Sequence, residues 1–579
     1  MRMNLRICLV TPFAWSQPHD VNEHVAGIAQ ELRALGHSVT VLAPSSRASD
    51  LLAGRRALNR GEDAEVIAVG PAVQVSRRSS LGVPVGVRTN VALALRQGRF
   101  DVVHGFEPGL PSISYLALRD AQTLAVATFV SPERLGFPTR RSLRDKLLGR
   151  IDALLATSTT AASAAAERFP GDYRVVSQGV DLQLFAPGSK RKLIVIELHS
   201  GSLPVARAAV RALHDLPDWE IVLLRTKPLA TRPSIPTSLR NRVRLRSGRT
   251  AAARAALLAE ALIVAPAPTG SERLLLEAAA AGAAIAAPPS VLEQPELAAA
   301  AIARLAENDE VRERKAAAGL EAARHQGFGD LARELDTLYR DLAGRRRSRR
   351  RDQDPLADRP WIVADLHMHT SWSHDCSMGV EELLDHAETE GLGAIAITDH
   401  NVFGGALAAV EAARGRDLIV IPGEEVKTDD QGEVIGLFLQ EEIPRGMSFG
   451  ETIAAIREQG GLVYLPHPFD RMHAIADPVT LHRHLGEIDV FEVYNARLLF
   501  ETFNDEAARF ARKYNLIAGA GSDAHVLQGV GTGALRLRAF DGPEEFLLSL
   551  RSAEVLRRPK SLAYLQSLKW VAQVKEKVR

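Results

Sequence analysis

Short apolar runs alternate with amphipathic stretches along most of the chain, and this alternation constrains the fold more than any other sequence feature. The run "RICLVTP" at 6–12 predicts a strand, the stretch after it predicts a helix that ends at Gly36, and "SVTVLAP" at 38–44 predicts the next strand. Strands that alternate with helices form strand–helix–strand units whose strands pair in parallel. The sequence therefore predicts an α/β fold built on parallel sheets.

Interruptions in the alternation divide the chain into segments. A chain of 579 residues is too long for one hydrophobic core. The pattern restarts after "FAPGSKRK", near residue 186, and breaks again at an arginine-dense stretch that cannot bury enough apolar surface to fold. We interpret that stretch as an exposed tether, although basic runs also contact nucleic acid or anionic membranes. The predicted segments are two α/β domains, the basic linker, a third α/β domain and a C-terminal helix, at 1–186, 187–343, 344–360, 361–558 and 559–579.

Charge and cysteine content exclude several classes of protein. The formal net charge is +1, so no overall field draws the chain to nucleic acid or to a membrane. Cys8 and Cys376 lie far apart in the sequence, which rules out a disulfide framework and favours a reducing compartment. The first apolar run is too short for a secretory signal, and no run reaches the length of a membrane span. We therefore expect a cytoplasmic protein.

Histidine and carboxylate side chains gather at the strand ends of the third domain. His367 and His369 are spaced i, i+2 on a predicted strand, so they face the same side, and Asp523 and His525 repeat that spacing on the last strand. Core packing alone would place apolar residues there, whereas the carboxyl ends of strands carry the chemistry of α/β barrels. Imidazole and carboxylate are ligands for Zn²⁺, Mn²⁺ or Fe, and no thiolate is needed. The complete set of strand-end residues is His367, His369, Asp375, Asp399, His400, Glu425, Glu433, His467, Asp523 and His525.

Five ordered motifs in this domain are "DLHMHTSWSHDC", "ITDHN", "PGEEV", "PHPFDR" and "GSDAH". From about Trp361 to about Leu556 the chain resembles the PHP domain, the polymerase and histidinol phosphatase family. The resemblance implies a distorted (β/α)₇ barrel that holds two or three divalent metal ions, with Zn, Mn or Fe as the candidates. Many members of that family hydrolyse phosphoesters, so the resemblance also implies a metal-dependent phosphoesterase.

The same resemblance implies which residues bind each ion. Glu433 departs from the family pattern, because relatives often carry histidine there; a carboxylate slightly favours Mn²⁺ or Fe over Zn²⁺. The alternative leaves Glu433 exposed and the site with two ions. Asp399 is expected to orient a ligand histidine rather than bind metal. The implied ligands are His367, His369, Glu425 and Asp523 for the first ion, Glu425, Glu433 and His467 for the second, and Asp375, His400 and His525 for the third.

Two arginines of the third domain are candidates for contact with a substrate phosphate. Arg471, in "PHPFDR", is placed to bind a non-bridging phosphate oxygen, and a salt bridge at the barrel rim is the equal alternative. Arg497, in "YNARL", is a weaker candidate of the same type. Arg471 and Asp399 are thus the predicted catalytic residues beside the metal ligands, and His374 is predicted not to bind metal.

The first 340 or so residues carry "NEHVAGIAQELRALGHSVTVLAP", "SQGVDLQLFAP" and "LLLEAAAAG". They resemble a family 4 glycosyltransferase, which implies a GT-B pair of Rossmann-like domains. Several positions differ from active members. Val130 replaces a histidine near the reacting sugar, the arginine and lysine that neutralise the nucleotide diphosphate are missing, and Thr269 replaces the first of two glutamates. Glu277 keeps the second glutamate and is the predicted contact to a sugar or ribose.

The more complete ligand set favours catalysis in the third domain. We predict hydrolysis of a phosphomonoester or phosphodiester by the PHP domain, beside an inactive glycosyltransferase-like scaffold. The substrate is expected to be a small phosphorylated molecule, with a nucleotide or oligonucleotide end as one option. Two alternatives stay open: an active glycosyltransferase that uses a nucleotide-sugar with the PHP domain as an accessory, and a ligand sensor without turnover.

Overall fold

The computed structural model describes most of the chain as two compact units, Met1–Ala343 and Gly344–Arg579. The predicted C-terminal helix and the middle of the predicted linker lie outside the described residues, and the segment boundaries stay predictions. The described helices include none that is long and apolar enough to cross a lipid bilayer. The described ranges are 4–76, 79–81, 86–131, 134–198, 202–226, 233–267, 272–286, 294–346, 354–472 and 475–558.

The first unit begins with a seven-stranded parallel sheet in the order β3-β2-β1-β6-β7-β8-β9. Helix α1 buries Val21, Val25, Ile28 and Leu32 at helical spacing, and Gly36 after it has a φ of 93°, a conformation that ends helices at low cost. The elements are β1 (Arg6–Val10), α1 (Asp20–Ala34), β2 (Ser38–Ser45), α2 (Ala48–Arg60), β3 (Val66–Pro71), β4 (Val73–Ser76), β5 (Ser79–Leu81), α3 (Arg88–Gly98), β6 (Val102–Phe106), α4 (Ile113–Asp120), β7 (Leu124–Phe129), α5 (Arg141–Leu148), β8 (Ala153–Ala156), α6 (Thr159–Arg168) and β9 (Tyr173–Val175).

A second parallel sheet of five strands, ordered β12-β11-β10-β13-β14, completes the first unit. Its last helix returns to the first sheet, where Tyr339 lies 2.6 Å from the buried His104 ring. The predicted pair of Rossmann-like sheets is confirmed. The elements are β10 (Arg191–Leu198), α7 (Leu203–Ala212), β11 (Glu220–Arg225), β12 (Val243–Ser247), α8 (Ala251–Glu260), β13 (Ala261–Ala265), α9 (Glu272–Ala280), β14 (Ala284–Ile285), α10 (Pro295–Glu307), α11 (Asp309–Arg324) and α12 (Phe328–Gly344).

The second unit is a nearly closed barrel-like sheet, ordered β21-β20-β19-β18-β17-β16-β15-β22-β23. Strands β18 and β22 each run antiparallel to both of their neighbours, whereas β15 to β17 and β19 to β21 pair in parallel. The elements are β15 (Trp361–Met368), α13 (Val380–Thr389), β16 (Ala394–Ile397), α14 (Gly404–Ala412), β17 (Ile419–Lys427), β18 (Glu433–Leu437), α15 (Phe449–Glu458), β19 (Leu462–Leu465), α16 (Pro478–Arg483), β20 (Val490–Asn495), α17 (Glu501–Tyr514), β21 (Ile517–Gly521), β22 (Gly533–Arg538), α18 (Gly542–Leu550) and β23 (Glu554–Arg557).

Backbone hydrogen bonds just beyond the ends of β15 and β21 link these two strands of the barrel. The Asp523 N–H donates to the carbonyl of His367 at 2.7 Å, and the His369 N–H donates to the carbonyl of Ala524 at 3.1 Å. The buried Asp365 carboxylate accepts from the Ser522 N–H on the same seam. These bonds bring the two histidines of the first strand beside the polar residues that follow the last barrel strand.

Candidate metal centre

The strand ends of the second unit bring all of the predicted metal ligands to one place. Most of these side chains are buried, and His367 and His369 are completely so. Asp375 joins the group through His525, whose Nε2 lies 3.0 Å from its Oδ2. Four sets of residues each place one ligand atom per residue within 4.8 Å of the others: His367, His369 and Glu425; His367, His467 and Asp523; His400, Glu425 and Glu433; and His369, His400 and His525.

Glu425 lies at the centre of this group. Strand alternation turns it inward, while the preceding Glu424 faces away and accepts the Ile443 N–H at 2.9 Å. The inward carboxylate is 1% exposed and contacts imidazole nitrogens on several strands. Its Oε1 lies 3.1 Å from His467 Nε2, and its Oε2 lies 3.0 Å from His400 Nδ1, 3.4 Å from His367 Nε2 and 3.5 Å from His369 Nε2.

The spacing of these atoms fits bound metal. His369 Nε2 is buried and has no hydrogen-bond partner among the described residues, yet it lies 3.5 Å from both Glu425 Oε2 and Asp523 Oδ1. An ion about 2.1 Å from each tetrahedral ligand would separate those ligands by about 3.4 Å. Neutral imidazole and carboxylate oxygen also match the donors that Zn²⁺, Mn²⁺ and Fe accept. The residues present therefore fit divalent metal ions.

Electrostatics at the centre favour cations. Burial by itself lowers the pKa of His367, but the carboxylates of Glu425, Asp523 and Glu492 raise that pKa well above its ordinary value. Burial raises the pKa of Glu425, but the surrounding imidazoles hold it well below its usual range. The Glu425 carboxylate thus stays ionised inside the protein, where low polarisability strengthens its attraction for positive charge.

Asp399 acts on the centre through another residue. Its buried carboxylate accepts from the Thr370 N–H at 2.7 Å, the Thr370 hydroxyl at 2.6 Å and the Ser373 hydroxyl at 2.8 Å. Ser373 Oγ lies 3.3 Å from His369 Nδ1. Asp399 therefore fixes the turn after β15, and its link to His369 passes through Ser373.

Glu492 is a residue of the centre that the sequence analysis missed. This buried carboxylate on β20 lies 3.1 Å from His367 Nδ1 and accepts from the Tyr464 hydroxyl at 2.8 Å. A carboxylate at Nδ1 holds the proton there and leaves Nε2 of His367 available as a ligand atom. The signal was an acidic residue inside the apolar strand "DVFEVYN", where core packing would not place one.

The structure separates the residues on the rim from those that reach the centre. Arg471 and His374 are exposed. Arg497 instead lies 3.0 Å from Asp523 Oδ1 and 3.2 Å from His525 Nε2, so of the two candidate arginines it is the one that reaches the centre. Glu433 faces inward, with Oε2 3.6 Å from His467 Nε2.

In the first unit, Glu277 is paired with arginine. The carboxylate is 1% exposed and accepts from Arg254 at 2.6 and 2.7 Å and from Arg273 at 2.9 Å. Both arginines also contact Glu23 on α1, at 2.8 and 2.6 Å, so the network ties the two sheets together. The predicted sugar contact is thus already occupied by two guanidinium groups. Thr269 lies outside the described residues.

Replacing Glu277 tests this network. Glu277→Ala leaves two buried guanidinium groups without their main partner, so we expect the free energy of unfolding of the first unit to fall by about 3–5 kcal/mol. Native-state hydrogen exchange of α9 amides would report the loss. The matched control is Glu296→Ala, whose side chain is 86% exposed and which should change stability by less than about 0.5 kcal/mol. Equal effects of the two substitutions would contradict the network's role.

Comparison with known proteins matches both units. Family models match as Glycosyltransferase Family 4 at 21–184, PHP domain at 365–501 and PHP-associated at 501–555. An uncharacterized protein of Methanocaldococcus jannaschii is 36% identical over 35% of this chain and 85% of its own length. The phosphatidyl-myo-inositol mannosyltransferase of Mycobacterium tuberculosis is 27% identical over 59% of this chain and 98% of its own. A glycosyltransferase structure from Rickettsia africae aligns with a TM-score of 0.42 and 16% identity, over 59% of this chain and 99% of its own.

Proposed function

The chain belongs to the PHP domain family and carries a glycosyltransferase family 4 region ahead of that domain, and on this premise we propose that its PHP centre hydrolyses a phosphomonoester or phosphodiester with bound divalent metal ions. The observation that carries the proposal is the Glu425 carboxylate, buried among four imidazoles that lie at the ends of three strands, β15, β16 and β19. Such a site is costly to build for stability alone, because each buried polar group must find a partner. A small phosphorylated molecule, such as a nucleotide or an oligonucleotide end, is the proposed substrate.

The proposed ligand sets follow the family resemblance, and the short distances among these side chains are compatible with them. Glu425 would serve both positions, because its Oε1 lies beside His467 and its Oε2 lies beside His367 and His369. Glu433 serves the second position because its carboxylate faces inward beside His467. The first position takes His367, His369, Glu425 and Asp523, the second takes Glu425, Glu433 and His467, and Asp375, His400 and His525 lie beside them.

The protein's residues prepare the centre for this chemistry. Bound metal ions supply a hydroxide nucleophile at neutral pH and positive charge against the phosphate oxygens. Glu492 holds the proton on Nδ1 of His367, so that Nε2 faces inward with its lone pair. Asp399 and Ser373 hold the turn that carries His369. Burial excludes bulk water and strengthens the interactions of the site with a phosphate group.

Removal of the paired histidines should abolish activity. His367→Ala combined with His369→Ala deletes two ligands of the first position, so we expect hydrolysis of a generic phosphodiester or phosphomonoester in Mn²⁺ to be lost. The assay is spectrophotometric release of a nitrophenol leaving group. His386→Ala on α13 is the control, because that ring is a half-buried neighbour of Glu390 and should leave turnover unchanged. Unchanged turnover in the double variant would rule out the metal assignment.

Glu492 is expected to set metal affinity. Glu492→Gln removes the negative charge that holds the His367 proton, and loss of such a partner weakens metal binding by about 10–100-fold. Competition with a chromogenic chelator measures the affinity. The control is Glu487→Gln, which neutralises a half-exposed carboxylate beside His484 and should leave the metal affinity unchanged. An affinity equal to that of the unaltered chain would show that Glu492 does not tune the site.

An active glycosyltransferase is the second candidate function, and the alignment with almost the full length of the mannosyltransferase favours it. Against it stand the guanidinium pairing of Glu277 and the lack of the arginine and lysine that neutralise the nucleotide diphosphate in active members. We expect no binding heat from common nucleotide-sugars in titration calorimetry. Donor binding together with sugar transfer would overturn the assignment of the first unit as a scaffold.

A further inference from the structure

Arg497 reaches the part of the centre that lies beside Asp375 and His525. It follows β20 by two residues, and its side chain is 27% exposed. Its Nη1 lies 3.0 Å from Asp523 Oδ1 and 3.2 Å from His525 Nε2, and its Nη2 lies 4.0 Å from Asp375 Oδ2. The permanent positive charge of Arg497 therefore lies close to Asp523, His525 and Asp375, which include two of the implied ligands of the third ion.

The hydrogen bonds of His525 define which nitrogen carries its proton. Nδ1 lies 3.0 Å from the backbone carbonyl of Asp523, and a carbonyl only accepts, so Nδ1 carries the hydrogen. A guanidinium only donates, so Nε2 accepts from Arg497. A metal ion would need the same Nε2 lone pair. The Nε2 lone pair of His525 can therefore accept a hydrogen bond from Arg497 or bind a metal ion, but not both at once.

Asp375 lies beside the same nitrogen. Its Oδ2 is 3.0 Å from His525 Nε2, so with the hydrogen on Nδ1 these two acceptors need a positive group beside them. The Arg497 guanidinium provides that charge.

We propose that Arg497 fills the third cation position of the PHP centre, so that the centre binds two metal ions and presents an arginine in place of a third. The inference rests on the proposed metal-dependent function and specifies its composition. Asp523 can bind the first ion and accept from Arg497, because carboxylate oxygens offer several lone pairs. His400, which also groups with Glu425 and Glu433, becomes available to the second ion.

The arrangement also has a consequence for substrate binding. The planar guanidinium offers parallel N–H donors that match two oxygens of a phosphate group, which a bare ion does not. Partial exposure leaves part of Arg497 open at the mouth of the barrel. The arginine thus orients a phosphate against the two ions while it neutralises the acidic side chains around it.

Metal counting tests the proposal without an activity readout. The full-length protein, Arg497→Met, His525→Ala and the control Arg414→Met, which alters an arginine 76% exposed on the barrel exterior, are loaded with Mn²⁺, desalted and analysed for metal content. We expect about two ions per chain in the unaltered protein and the control, and about three in Arg497→Met, where the His525 lone pair becomes available. His525→Ala should keep about two ions, because no ion depends on that ring.

The outcomes separate this inference from the function on which it rests. About three ions in the unaltered chain, falling to about two in His525→Ala, would overturn the role of Arg497 and leave the phosphoesterase intact. A count that does not rise in Arg497→Met, with native circular dichroism, would also overturn it. If Arg497→Met does not fold, the comparison of His525→Ala with the unaltered chain decides. A chain that retains no Mn²⁺ would refute the proposed metal function itself.

Discussion

The geometry of the PHP centre depends on the backbone pairing that joins the end of β15 to the segment after β21. Two N–H groups cross this seam, from Asp523 to His367 and from His369 to Ala524. The first segment is extended there, whereas Asp523 has a φ of 51°, and the two bonds bring His367 and His369 beside Asp523 and His525. A one-residue slip would turn every one of these side chains to the opposite face. The buried Asp365, which accepts backbone N–H groups of Ser522 and Gly531, holds the register.

Each unit contains a buried carboxylate, and the two carboxylates have different kinds of partner. Glu425 is surrounded by imidazoles, which can be neutral and can turn a lone pair toward a cation. Glu277 is surrounded by guanidinium groups, which are always charged and can only donate. The first arrangement leaves negative charge available for metal ions, whereas the second satisfies it within the protein. This difference in partners explains why the proposed chemistry is assigned to the PHP unit and a scaffold role to the first.

The sequence predicts the α/β class and the polar strand ends because both follow from local periodicity. It does not identify partners that meet across a barrel or between sheets. Glu492 was missed because its role depends on His367, which lies 125 positions away. Arg497 was ranked below Arg471 because only the folded chain shows which guanidinium reaches Asp523. The pairing of Arg254 with Glu277 and Glu23 joins helices α8, α9 and α1, and no motif marks it. The assignment of ligands to particular ions came from family resemblance rather than from spacing.

Elemental analysis of the purified full-length protein, combined with a phosphoester panel with and without chelator, tests the central claim most directly. We predict stoichiometric divalent metal, hydrolysis of at least one phosphoester, loss of that hydrolysis on chelation and its recovery with Mn²⁺. Protein that takes up no divalent metal, or hydrolysis that persists after complete chelation, would contradict it.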